Sequence, residues 1–155
     1  MKIEDLIVLE RISCDNSSGS KKKALEALSA LLVTDASDMS QDEIFESLIS
    51  RERLGSTGLG HGVALPHARL PGREQAIGAF IKLDKGVDFD AIDNKPTDLL
   101  FSLLVPDHFT DEHLDILAQL AKLFSDEKFC QSLRSSESEE QIYKLLINQQ
   151  NSSAA

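Results

Sequence analysis

Two apolar runs constrain this chain most: Ala76-Ile-Gly-Ala-Phe-Ile-Lys-Leu83 and Asp98-Leu-Leu-Phe-Ser-Leu-Leu-Val105. Neither alternates apolar with polar residues, as a strand with one wet face would, so both read as strands covered on two sides. The turn-rich Ala91-Ile-Asp-Asn-Lys-Pro96 separates them, and Pro106 closes the second. Strands of this kind need helices on both faces, and the flanking segments supply them. Ala24, Leu25, Leu28, Leu31 and Leu32 recur at helical spacing after the turn-like Asp15 to Ser20. Asp35 to Ser40 breaks the pattern. Ser40-x-x-Glu43 then reads as a capping box before Ile44, Phe45, Leu48 and Ile49, in a helix that should end near Arg51. Past the second strand, Thr110 is expected to cap a helix whose Leu114, Leu117, Leu120, Ala121 and Phe124 form one apolar stripe. Phe129 and Leu133 predict a short helix, and Ser138-x-x-Gln141 introduces a last one carrying Ile142, Leu145 and Leu146.

At 155 residues and 41% hydrophobic content the chain can bury one core and has little left for a second. The expected fold is therefore α/β: a single domain over residues 1–155, with a mixed β-sheet flanked by helices on both faces and a frayed tail over 149–155.

Charge and cysteine usage narrow the function classes. Sixteen basic against 26 acidic residues give a formal charge of −10, which argues against nucleic acid or an anionic membrane as partner. Cys14 and Cys130 stand alone, so neither a zinc site nor a disulfide framework is indicated. No run approaches the roughly 20 apolar residues of a bilayer span, and the opening MKIEDLIVLER lacks the parts of a signal peptide. The expectation is a cytoplasmic protein without membrane insertion.

Chemistry concentrates in Gly55-Ser-Thr-Gly-Leu-Gly-His-Gly-Val-Ala-Leu-Pro-His67, which holds four of the eight glycines and two of the four histidines. Gly55 and Gly60 have the spacing of a phosphate-cradling loop, but His61 and Gly62 stand where that loop needs lysine and a hydroxyl. A dinucleotide fingerprint fails as well, with Val63 in place of its third glycine. His61 and His67 are six apart and His108 and His113 five apart, which does not match metal-ligand pairing on a helix, so no metal site is expected. His67 follows Pro66 and the apolar Val63-Ala-Leu65, so a stiff, strand-like support can hold its imidazole at a loop edge, a placement suited to a nucleophile. If Thr110 caps its helix, His113 occupies the third helical position. Unpaired amides there favour an anion, and a neutral His113 can donate a hydrogen bond to it.

The run Arg51-Glu-Arg-Leu-Gly-Ser-Thr-Gly-Leu-Gly-His-Gly-Val-Ala-Leu-Pro-His67, the later Ala91-Ile-Asp-Asn-Lys-Pro-Thr-Asp-Leu-Leu-Phe-Ser-Leu-Leu-Val-Pro106 and Glu112-His-Leu114 resemble the enzyme IIA domains of the mannitol/fructose class. These belong to the bacterial phosphoenolpyruvate-dependent phosphotransferase system. The likeness runs from about Ile12 to Leu146 and is strongest to the stand-alone nitrogen-regulatory branch. It implies a phosphocarrier that takes a phosphoryl group on His67 from a small histidine-phosphorylated carrier protein. Arg51 would neutralise phosphoryl charge and His113 would hydrogen-bond it. Gly55, Gly58, Gly60 and Gly62 would form a flat rim that a partner can approach, and Ser56 and Thr57 would hydrogen-bond either the loop or a phosphoryl oxygen. Glu52 would pair with a nearby cation. Regulatory targets such as sensor kinases or potassium-transport components are implied by resemblance alone. The alternatives are a sugar-transport IIA module and a binding regulator that works mainly unphosphorylated. The sequence departs from the pattern at His61, where Asn is common, and at Ala68, where Gly is frequent.

Overall fold

The two apolar runs form the centre of a six-stranded mixed sheet. The computed structural model describes residues 2–33, 39–70, 75–108 and 111–153. Its strands are β1 (Ile12–Asn16), β2 (Gly58–Gly60), β3 (Val63–Ala64), β4 (His67–Leu70), β5 (Ile77–Val87) and β6 (Thr97–Pro106), and its helices are α1 (Lys21–Leu32), α2 (Gln41–Arg53), α3 (Asp111–Phe124), α4 (Glu127–Ser135) and α5 (Glu139–Ser153). The strand order is β1-β5-β6-β3-β2, with β4 also on β6. β5 and β6 are antiparallel, whereas β1 joins β5, and β3 and β4 join β6, in parallel. β3 and β4 share one register along β6, with Val63 opposite Leu99 and His67 opposite Leu103. They run as one line along β6, interrupted at Leu65-Pro66, where proline has no N–H to give to the ladder; β2 covers the β3 part and leaves β4 at the edge.

The absence of alternation in β5 and β6 follows from two separate cores. Leu99, Phe101, Leu103 and Val105 face α3, α4 and α5, together with Phe80. Leu100 and Leu104 face α1 and α2, together with Ile77, Ala79, Ile81 and Leu83. Phe80, Phe101 and Phe124 meet at ring separations of 6.1 to 6.4 Å, which joins the sheet to α3.

The helix starts obey the expected chemistry. Ser20 and Ser40 accept the Lys23 and Glu43 amides at 3.1 Å, capping α1 and α2, and Gln141 N–H donates to Ser138 at 3.2 Å. The 35–38 part of the expected break and the Thr110 cap lie outside the described residues. α5 continues through Ser153, and α2 runs two residues past Arg51.

In α3 the buried stripe is rotated from the one expected. Ile116, Leu120 and Phe124 are buried and Leu114 is 56% exposed. The face that packs follows the three- and four-residue steps back from Phe124 to His113, and it is His113 that becomes buried. β1 and the single-turn 3₁₀ helices Ile3–Asp5 and Leu9–Arg11 were not anticipated. Buried Arg11 fixes this segment, donating from Nε to the Gly78 carbonyl and from Nη2 to the Leu6 carbonyl, each at 2.8 Å.

Candidate active site

His67 opens β4 on the outer side of β6, and the free edge of β4 lies beside the C-terminal half of α2. Residues 46, 47, 50, 51 and 54 share one face of α2, because steps of three and four residues return to the same side. Together with His67, Ala68 and Arg69 they line a cleft of about 630 Å³. Arg51 comes from the last turn of α2, where its Nη1 donates to the Gly55 carbonyl at 2.8 Å.

The His67 ring is fixed by its own chain. Nδ1 lies 2.8 Å from the Leu65 carbonyl oxygen. A carbonyl can only accept, so Nδ1 carries the hydrogen and the neutral ring keeps its lone pair on Nε2. Burial holds the His67 pKa below the ordinary imidazole value. The Leu65 hydrogen bond acts against that shift, Arg51 with it, Glu52 against it and Arg69 with it. The ring therefore stays unprotonated, and able to attack an electrophile, further into the acid range than a free imidazole.

Arg69 was missed by the sequence reading. The signal was available: two residues beyond His67 on a strand, a side chain returns to the same side. His113 is buried in the first turn of α3, which begins just beyond the end of β6. By strand alternation, His67 shares the sheet face of Val63, Leu65 and Leu103, which is the face α3 packs on, while Ala68 belongs to the α1–α2 side. Among the described residues His113 does not line the cleft.

The glycine run is tied down by hydrogen bonds to α2, to Phe89 and within itself. The Ser56 hydroxyl donates to the Phe89 carbonyl at 2.8 Å and accepts from Gly58 N–H at 3.0 Å. The Thr57 hydroxyl donates to Glu52, and Thr57 N–H donates to the same carboxylate at 3.2 Å. Ser56 thus bonds Gly58 within the loop and Phe89 beyond it, whereas the Thr57 hydroxyl is taken by Glu52 of α2. Glu52 has the cation it was expected to pair with in Lys21, at 3.1 Å. Gly58 lies against Ala91 and Gly60 against Asp93, while Gly55 borders open space.

His61 does not line the cleft with His67. Its φ of +55° is a left-handed conformation that Asn and His tolerate better than most residues. Its N–H donates to Asp93 at 2.8 Å, and its carbonyl accepts from Arg134 at 2.9 Å. With Gly62, Lys95 and Arg134 it borders a separate cavity. His108 is exposed between β6 and α3.

A family model described as phosphoenolpyruvate-dependent sugar phosphotransferase system, EIIA 2, matches residues 5–149. The chain belongs to this EIIA 2 family. Within it, the relatives of this EIIA 2 domain include a nitrogen regulatory protein of Pseudomonas aeruginosa, 40% identical over 97% of this chain and 98% of that one. A fructose-specific EIIA component of Haloferax volcanii is 33% identical over 93% of this chain and 94% of that one. The crystal structure of the nitrogen regulatory protein IIA-Ntr of Neisseria meningitidis superimposes with a TM-score of 0.88 at 45% identity, covering 93% of this chain and 98% of the other. The EIIA 2 fold, a mixed α/β single domain, is thus the one expected, and the nitrogen-regulatory likeness holds over almost the whole domain. Among the described residues of this EIIA 2 domain, no helix is long and apolar enough to cross a membrane.

Proposed function

We propose that this protein is a phosphoryl carrier of the nitrogen-related phosphotransferase system, taking a phosphoryl group on His67 from a histidine-phosphorylated carrier protein and acting as a regulatory component. The observation that carries the reading is the His67 ring, anchored at Nδ1 by the Leu65 carbonyl and lining a cleft with Arg51 and Arg69. In the transfer, the Nε2 lone pair forms the new N–P bond as the donor's N–P bond breaks, and the donor nitrogen takes back the bonding pair. Positive charge that develops on the ring is shared through Nδ1–H with the Leu65 carbonyl. The guanidinium groups balance the phosphoryl oxygens. His113 is assigned the role of hydrogen-bond donor to those oxygens, supported by its burial at the start of α3 and by the sheet face that His67 shares with that helix. Of the glycines, Gly55 borders open space and leaves the loop clear for a partner's phosphohistidine to come within in-line distance, whereas Gly58, Gly60 and Gly62 pack against Ala91, Asp93 and Arg134.

The test is phosphate incorporation from purified phosphorylated carrier proteins of the nitrogen and sugar branches. Acid-labile, base-stable label on the wild type and none on a folded His67→Ala variant is expected; equal label on both would move the site. Preference for the sugar-branch carrier would favour the reading that the fructose-specific relative represents. A protein that binds targets without taking label would be the unphosphorylated regulator.

A further inference from the structure

A chain of hydrogen bonds leads from a buried carboxylate to the back of the His67 ring. Glu52 is the penultimate residue of α2 and its side chain is only 2% exposed. It receives the Thr57 hydroxyl and the Thr57 N–H, and Lys21 Nζ lies 3.1 Å away. Lys21 is itself held 3.3 Å from Asp90 and 4.6 Å above the Phe89 ring. The Thr57 carbonyl accepts Leu65 N–H at 3.1 Å, and the Leu65 carbonyl accepts the His67 Nδ1 hydrogen at 2.8 Å. The next peptide unit is fixed as well, because the Pro66 carbonyl takes Leu103 N–H at 3.0 Å. Every link from Lys21 to the imidazole is thus a donor facing an acceptor.

We propose that Glu52 is a positioning residue for His67, acting through Thr57 and the Leu65 carbonyl to hold the ring with its hydrogen on Nδ1 and its lone pair on Nε2. The inference rests on His67 being the phosphoryl acceptor. A peptide carbonyl is a soft anchor unless both of its neighbours are fixed: β6 fixes one side through Pro66, and the Glu52–Thr57 contact fixes the other. Lys21 balances the carboxylate's charge, so burying Glu52 does not leave an ion without a partner. A neutral amide at position 52 has only one acceptor atom for three donors and turns an N–H₂ toward one of them, so Glu52→Gln breaks the chain at its root. Thr57→Val removes the hydroxyl while keeping the shape, and Thr57→Ser keeps the hydroxyl.

The experiment records long-range proton–nitrogen spectra of the His67 ring between about pH 5 and 9, with single-turnover transfer at saturating phosphorylated carrier, for wild type, Glu52→Gln, Thr57→Val and Thr57→Ser. Thermal unfolding checks each fold. The wild type and Thr57→Ser should show the neutral ring as the Nδ1–H form. Thr57→Val and Glu52→Gln should populate the other tautomer and transfer about tenfold more slowly. The groups whose charges reach the ring are Arg51 and Glu52 from α2 and Arg69 from β4. Loss of the Glu52 charge should also move the His67 titration midpoint further down, whereas Thr57→Val keeps that charge and should leave it closer to wild type. Wild-type tautomer and rate in folded Thr57→Val would overturn the proposal, as would a Thr57→Ser variant as impaired as Thr57→Val. The ring spectra need no phosphoryl transfer. A wild type that takes no label would defeat the carrier reading while the tautomer still decides the role of Glu52, and if Glu52→Gln does not fold, the two Thr57 variants decide it.

Discussion

Replacing Gly62 by alanine places a methyl group where there is no room for one. Gly62 has a φ of +82°, and a Cβ there would collide with Arg134 Nη2 and lie 2.8 Å from Asp98 Oδ1. That guanidinium grips Asp98 with two hydrogen bonds of 2.9 Å and also holds the His61 carbonyl. The left-handed backbone alone costs an alanine about 1 kcal/mol. Displacing the forked pair, whose side chains are 29% and 26% exposed, adds about 1–2 kcal/mol, so Gly62→Ala should destabilise the fold by about 2–3 kcal/mol in urea or guanidinium titrations. Arg134→Ala removes the obstacle, and the Asp98 carboxylate can then turn aside. In that background Gly62→Ala should cost only the backbone part, about 1 kcal/mol. The double-mutant cycle therefore closes with a coupling of about 1–2 kcal/mol. If Gly62→Ala costs the same in both backgrounds, collision with Arg134 is not the reason for glycine at this position.

Three further outcomes test the His67 site. Because burial lowers the His67 pKa, and the neutral ring is the nucleophile, the acid limb of the transfer rate should lie below about pH 6.5; a limb at or above that value would contradict it. The same shift should add stability that is complete above the ordinary imidazole pKa and is lost as pH falls through the lowered one, which pH-dependent unfolding of wild type against His67→Ala measures. Arg51→Ala should lower the limiting single-turnover rate about tenfold to a hundredfold at saturating carrier, and an unchanged limit would reduce Arg51 to docking. His113→Ala should still be labelled at His67 but more slowly, with His113→Gln partly restored; complete loss of label in folded His113→Ala while His67→Ala still labels would exchange their roles.

The sequence made the sandwich legible because burial on two faces suppresses alternation, and β5 and β6 show none over most of their length. Helix caps were readable for the same local reason, since Ser40 needs only its own next three residues. The strands that hold the site were less visible. Val63-Ala64 and His67–Leu70 are too short to show a period, and only their shared register on β6 aligns them. β1 escaped notice because its end, Asp15-Asn16, falls in the turn-like Asp15 to Ser20, while its place in the sheet comes from pairing with β5 across more than sixty residues of chain. The α3 stripe shows how apolar spacing can mislead: counting leucines selected Leu114, whereas the face that packs buries Ile116 and His113. At the site, the motif carried His67 and Arg51, and the cleft joins them. The sequence could not foretell that Thr57 and Glu52 would spend their polar atoms on each other, because that depends on how the end of α2 meets the loop.

The break between β3 and β4 has a consequence for anyone who would engineer this domain. Extending β3 into β4 by replacing Pro66 would add a donor facing β6, and by the usual rules of sheet design that is an improvement. The same edit would release the Leu65-Pro66 step from its special geometry, and that step presents the Leu65 carbonyl to an imidazole two residues on. Stabilisation and phosphoryl transfer therefore pull in opposite directions at this one peptide unit, and a thermostable redesign should leave Leu65-Pro66-His67 untouched and seek its gains in the α3–α5 layer.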